Sequence, residues 1–215
     1  MIQRRLSDQQ GTVTIEFVIL VPVLFAWLLG SFIYFDAYRS RALSSKVANM
    51  LSDLAAREVV ISDSGVDEFY TIQRRMLPRR VAGSWMRISS ICYREERGAE
   101  GEVTRSDYLL HWSVVEDAYF DPSDADATPN ILPYQTNDAL PEDILPLMAD
   151  GDSVLLTEIE AVWEPVASQF SGYLGLSATT WRHIRTERPR YVRVVSHVDT
   201  VDGQSTICPP LPALE

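Results

Sequence analysis

The chain has 215 residues and a formal net charge of -11, room for one domain with or without an anchor. Residues 1–50 hold five basic and three acidic side chains, which leaves -13 on the remainder. An acidic body of this kind excludes the basic surface that nucleic-acid binding needs, and anionic lipid would repel it; solubility is its simplest use.

The N-terminus opens with the basic stretch MIQRR. Gly11 and Glu16 then stand just ahead of FVILVPVLFAWLLGSFIYF, the 19 residues from Phe17 to Phe35, which carry no formal charge. At about 1.5 Å per residue, roughly 20 such residues cross the hydrocarbon core of a bilayer. Trp27 lies mid-run, and Tyr34, Phe35 and Tyr38 gather at its far end as an interfacial aromatic belt would. Pro22 and Gly30 are better tolerated in a membrane helix than in water. A buried core helix of this length would carry a polar stripe, and this run has none.

The run exceeds the apolar stretch of a secretory signal, and no A-x-A-like cleavage site follows it. The helical pattern continues instead. Leu43, Val47, Met50, Leu51 and Leu54 recur on one face, with Arg39, Arg41, Lys46, Asp53 and Arg57 among the polar positions. The spacing predicts one helix from about Thr14 to about Arg57, membrane-spanning over 12–35 and amphipathic over 36–60. Orientation is divided. Arg39, Arg41 and Lys46 after the span against Arg4 and Arg5 before it lean toward a cytoplasmic C-terminal side. Cys92 and Cys208 lean the other way, since an even cysteine count suits one disulfide in an exported domain; two buried thiols fit the count equally well.

Residues 61–215 read as α+β. Val66, Phe69, Tyr70, Gln73 and Leu77 share one side of a helix over 66–77, with Ser64 as its cap. Four alternating runs predict strands at 85–93, 107–115, 153–163 and 191–198. The faces expected are Met86, Ile88, Ser90 and Cys92; Tyr108, Leu110, Trp112 and Val114; Leu155, Thr157, Ile159, Ala161 and Trp163, with Glu158 and Glu160 opposite; and Val192, Val194, Ser196 and Val198. They suggest a mainly antiparallel sheet with one face covered, the amphipathic half of the long helix being the natural cover. Residues 121–146 read as an irregular connection, with a helical turn or two in PEDILPLM. Its acidic start, DPSDAD at 121–126, is the best calcium candidate, yet it lacks the glycine and glutamate of an EF-hand, and a solvated loop is the plainer reading. His111, His183 and His197 are scattered, and no nucleophile elbow, zinc-protease pair or phosphate loop is present. The residues predict no enzyme, no metal and no cofactor.

A basic leader, Gly11, and then Thr12, Val13, Thr14, Ile15, Glu16 and Phe17 directly before an apolar span resemble a type IV prepilin junction. With Pro22 in the span, the combination is most similar to the TadE/TadG-like pseudopilins of the tight-adherence (Flp) pilus system. MADGDSVLLTEIEAVWEP at 148–165 and ERPRYVRVV at 187–195, with Arg188, Pro189 and Arg190, look like recurrent segments of that family. The resemblance implies a leader over 1–11, cut between Gly11 and Thr12 by a membrane-embedded prepilin peptidase. Glu16 and Phe17 would serve recognition and assembly, and 61–215 would be a periplasmic, pilin-like domain. It also implies an inner-membrane protein whose partners are other pilins and the assembly platform, as a minor subunit rather than the far shorter major pilin. A glycine leaves no side chain to clash in a peptidase groove. Cleavage would expose the amine of Thr12, of ordinary pKa about 7.7–8.0. Glu16, one helical turn on, could pair with it and offset the roughly 2.5–3.5 kcal/mol that an intramembrane carboxylate costs on insertion scales. The helix dipole favours a carboxylate there as well. In a periplasmic domain a Cys92–Cys208 bridge is favoured over free thiols, closing a long loop for about 4–5 kcal/mol at most. The competing expectation is a periplasmic binding or sensor domain held by an uncleaved signal anchor.

Overall fold

The computed structural model describes residues 9–79, 81–117, 131–136, 138–165, 177–198 and 207–212; for residues 9–15, 82 and 117 it describes the backbone alone. The element order is α1 (Gln9–Ala55), β1 (Val60–Ile61), α2 (Asp63–Met76), β2 (Val81–Arg97), β3 (Val103–Asp117), a single 3-10 turn at Glu142–Ile144, β4 (Ser153–Trp163), β5 (Thr179–Glu187) and β6 (Ser196–His197). The chain divides into two compact units. One comprises Met1–Arg39 and Pro165–Ser177, the other Ser40–Glu164 and Ala178–Glu215.

In the first unit α1 carries the apolar run. It contains Pro22, whose ring lacks the N–H that would bond the Val18 carbonyl. The residues from Phe17 onward are exposed nearly throughout: Phe17 is 68% and Trp27 71% accessible. Ser31 returns its hydroxyl to the Trp27 carbonyl at 2.9 Å, which satisfies a polar group inside the run.

The second unit is α+β, with a four-stranded antiparallel sheet in the order β3-β2-β4-β5 and a separate parallel pair, β1 with β6. The C-terminal part of α1 lies in the core with one face of the sheet. Ser40, Ser44, Ala48 and Ser52 recur every four residues and are buried, flanked by Val47, Leu51 and Ala55. This corrects the expected face. Val47 and Leu51 are in the core, but Leu43, Met50 and Leu54 are only half-buried. Short side chains point straight at the sheet, because they allow close approach, and the long ones close the flanks. Opposite them sit Met86 and Ile88 of β2, Leu155, Ile159 and Ala161 of β4, and Trp112 of β3.

α2 buries Val66, Phe69, Tyr70 and Gln73, with Leu77 just beyond its end, as the spacing predicts. Its cap is Ser62, not Ser64: the Ser62 hydroxyl accepts the Gly65 N–H at 3.1 Å and meets the Ser64 hydroxyl at 2.8 Å. Tyr70 donates to the Ser84 carbonyl at 2.9 Å, which seats the helix on β2.

Three strand expectations are altered. The β2–β3 register shifts between Ser90 and Ile91, where Trp112 and Leu110 are the successive partners and His111 is the extra residue. A bulge reverses the side-chain alternation. Trp112 and Val114 therefore join the helix-side core, while Tyr108 packs with Tyr93 and Ile91 on the other face. Second, the fourth strand of the sheet is β5, not 191–198; the latter contributes only Ser196–His197, to the small parallel pair. Val194 and Val195 are adjacent and both buried, one against the Cys92–Cys208 pair and one in the main core. Third, the outer face is also partly covered. Tyr134, Leu140, Leu145 and Met148 of the connection pack over Ile91, Val154 and Leu156. Two turns need a positive φ and have glycine there: Gly101 (87°) in the β2–β3 hairpin and Gly151 (77°) just before β4.

Candidate functional site

The processing and assembly residues expected from sequence lie at the head of α1. Gly11 and Thr12 fall within its first turns, because the helix begins at Gln9 rather than near Thr14. Thr12 and Glu16 are four residues apart on one helix, hence on one face. Glu16 is exposed, as is Phe17. From Glu16 onward α1 is long and apolar enough to cross a membrane, and none of that apolar stretch is buried. A peptidase acting at Gly11 would have to unwind a helical turn, and glycine costs the helix least to unwind.

Cys92 and Cys208 are joined, with Cα atoms 5.6 Å apart across 116 positions. Both are buried, with Val194 packed on them. The bridge holds the tail on β2, and arginines extend the attachment. Arg94 donates to the carbonyls of Pro209 (3.1 Å) and Cys208 (3.2 Å), and Arg105 to that of Pro212 (2.7 Å).

The seam between α1 and β5 is polar. Arg41 lies over the Trp181 ring at 5.4 Å, Arg185 donates to Asn49 and, at 3.1 Å, to Ser45, and Arg190 pairs with Asp53. Between them Ser44 Oγ meets His183 Nε2 at 2.8 Å. Ser44 also gives its single proton to the Arg41 carbonyl at 2.9 Å. Which member of the Ser44–His183 pair donates is set by the imidazole tautomer. Burial first, then Arg185 and Arg41, lower the His183 pKa below its ordinary value. The folded state thus favours neutral imidazole. The stability linked to that preference is complete above the unfolded pKa of about 6.5 and is lost as pH falls toward the lower folded value. Unfolding titrations at pH 7.5 and 5.0 should show a loss for the wild type that is smaller in His183→Gln; an equal loss in both proteins would assign the pH response to other groups.

On the outer face of the sheet, Glu158 of β4 is fully buried. It lies opposite Leu155, Ile159 and Ala161, as the alternation predicts, but on a face that is covered there. It binds Arg87 of β2 (Nε–Oε2 2.5 Å) and Arg182 of β5 (2.6 Å). Arg87 also donates to the Leu132 carbonyl at 3.0 Å and stacks 3.6 Å from the Tyr134 ring. The bond to Glu158 raises the Arg182 pKa. Burial, then the Glu158 charge, raise that of Tyr134, so the phenol stays neutral. The sequence shows Glu158 on an alternating strand but not its two partners, which come from strands far apart in the chain. β5 was missed for the same reason; its signal is the alternation of Thr179, Trp181, His183 and Arg185, with small hydrophobic content.

Glu116 of β3 stands near the start of α2; burial, then Asp67 and Asp63, raise its pKa. Among the described residues no group of three or more His, Cys, Asp or Glu could hold a metal ion. The acidic stretch 121–126 lies outside the described residues, as does most of the leader. No protein-family model, no curated protein and no solved structure matches the chain.

Proposed function

We propose that this chain is a minor pilin of the TadE/TadG-like type, anchored in the inner membrane by one span. A prepilin peptidase would mature it at Gly11, and it would join a tight-adherence pilus and its assembly platform through α1. The observation that carries this reading is the placement of Gly11 and Glu16 five residues apart at the head of a single helix whose next section is apolar, exposed and long enough to cross a bilayer. Cleavage would set the new Thr12 amine one turn from the Glu16 carboxylate, and the pair would lower the cost of inserting that charge. Two features of the second unit support the reading. Its segment of α1 covers one face of an antiparallel sheet, the arrangement expected of a pilin-like domain. Its two cysteines are bonded, which suits an oxidising compartment outside the cytosol.

The second reading is a periplasmic binding or sensor domain on an uncleaved anchor. It is favoured by the continuity of α1 through Gly11. The two differ at one peptide bond. Protein made alongside the matching peptidase, with a known pilin as positive control, should show a mature mass beginning at Thr12. Gly11→Val should retain residues 1–11 in essentially all molecules, because a branched side chain both fills the groove and stiffens the turn. A wild-type chain still starting at Met1 while the control pilin is cut removes the pilin reading and leaves the anchored domain.

A further inference from the structure

Among the described residues β3 has a strand neighbour on one side only. Its other edge is oriented by the backbone of Tyr93, the register partner of Tyr108. Tyr93 spends its N–H on the Asp152 carbonyl (3.0 Å) and its C=O on the Gly151 N–H (2.9 Å), both on the β4 side. The Tyr93–Tyr108 pair is thus the non-hydrogen-bonded kind, and the backbone groups of Tyr108 point away from β2. Leu110, two residues on and paired with Ile91, points the same way. Among the described residues no backbone hydrogen bond reaches this edge.

The edge is walled on both faces of the sheet. Thr136, Asp138, Ala139, Leu140 and Glu142 of the connection stand on the Tyr108 side, where Leu140 packs in the same cluster as Tyr108. The tail prolines stand on the other side, tied by Cys208 to Cys92, the partner of Leu109. The space between is a cleft of about 320 Å³ running along residues 107–110. Four residues of strand are roughly 13 Å long, the length of a short extended segment. Asp107, Asp138 and Glu142 line the cleft, and among the described residues no lysine or arginine does. None of these carboxylates has an ion-pair partner among the described residues. Asp107 accepts the outward Tyr108 N–H at 2.9 Å and so occupies the donor that an added strand would use. A side chain placed this way guards an edge against indiscriminate pairing.

From this we infer that the open edge of β3 at Tyr108–Leu110 is a docking site for an extended segment of another protein carrying a lysine or arginine. The segment adds to the sheet by backbone hydrogen bonds, its carbonyl replaces the Asp107 carboxylate on Tyr108 N–H, and its cation meets Asp138 and Glu142. The inference goes beyond the pilin reading and does not rest on it, because it uses only the second unit.

Amide hydrogen exchange on the full chain in detergent micelles tests it, with the blocked peptide acetyl-Val-Lys-Val-Lys-Val-amide as probe. Saturating peptide should slow exchange at Tyr108 and Leu110 about tenfold or more. The glutamate analogue and a fully N-methylated lysine peptide, which cannot add to an edge, should leave them unchanged. Asp138→Asn with Glu142→Gln should weaken binding about two- to tenfold through lost charge pairing. Asp107→Ala should tighten it by a similar factor, since a donor is freed. Opposite signs from neighbouring carboxylates distinguish docking from loss of folding. Unprotected edge amides in bound protein, or equal binding of the lysine and glutamate peptides, would overturn the inference. So would protection that grows with protein concentration alone, which would make a second copy the occupant.

Discussion

Glu158→Ala is expected to be the most damaging single substitution in the second unit, destabilising it by about 3–5 kcal/mol. The reason is burial rather than the number of contacts. Arg87 is 5% exposed and Glu158 is wholly enclosed. Removing the carboxylate leaves the Arg87 guanidinium inside the protein with the Leu132 carbonyl and the Tyr134 ring but no counter-charge. Arg182 has about half of its side chain in solvent and can rehydrate, so Arg182→Ala should cost far less, about 1 kcal/mol. For a unit of this size the difference is on the order of 10 °C in Tm. Thermal unfolding of both variants by circular dichroism checks it; similar losses for the two would mean that the ion pairs contribute little and that the buried charge is relieved by water.

The second large effect is expected at the disulfide. Cys92→Ser with Cys208→Ser opens a loop spanning 116 positions, for which the chain-entropy estimate is about 4–5 kcal/mol, an upper figure. The loss should fall unevenly. The tail also holds through Arg94 to Pro209 and Arg105 to Pro212, and these bonds become local rather than cross-linked constraints. Denaturant unfolding should give a lower midpoint, and native-state exchange should rise first around Val194 and Cys208. A midpoint unchanged from wild type would show that the arginine bonds alone hold the tail. Both experiments use only stability as readout and stand whether or not the chain is cut at Gly11.

Some of this architecture is legible in the residues themselves. The uncharged run from Phe17 to Phe35 can be read directly, because a helix of that length without a polar face has no comfortable place in water. The helix at 63–76, the alternation of β4 and the α+β class follow from periodicity, which is a local property of the chain. The sequence also supplies the cysteine pair and the spacing of Gly11, Thr12 and Glu16. Features that depend on two distant segments were not legible. The bulge at His111 moves Tyr108 and Trp112 to opposite faces, yet a continuous alternation is what the string displays. YVRVVSHV alternates as a strand does, but the edge of β4 is taken by TTWRHIRTE, whose arginines and histidine are satisfied by α1 and Glu158. Ser40, Ser44 and Ser52 of α1 are buried, because the sheet lies too near for anything longer. Sequence alone settles the membrane-length run and the elements whose periodicity is strong, such as α2 and β4. Only tertiary packing settles which polar groups meet, because burial of a charge or a hydroxyl is decided by its partner, and the partner lies tens of residues away.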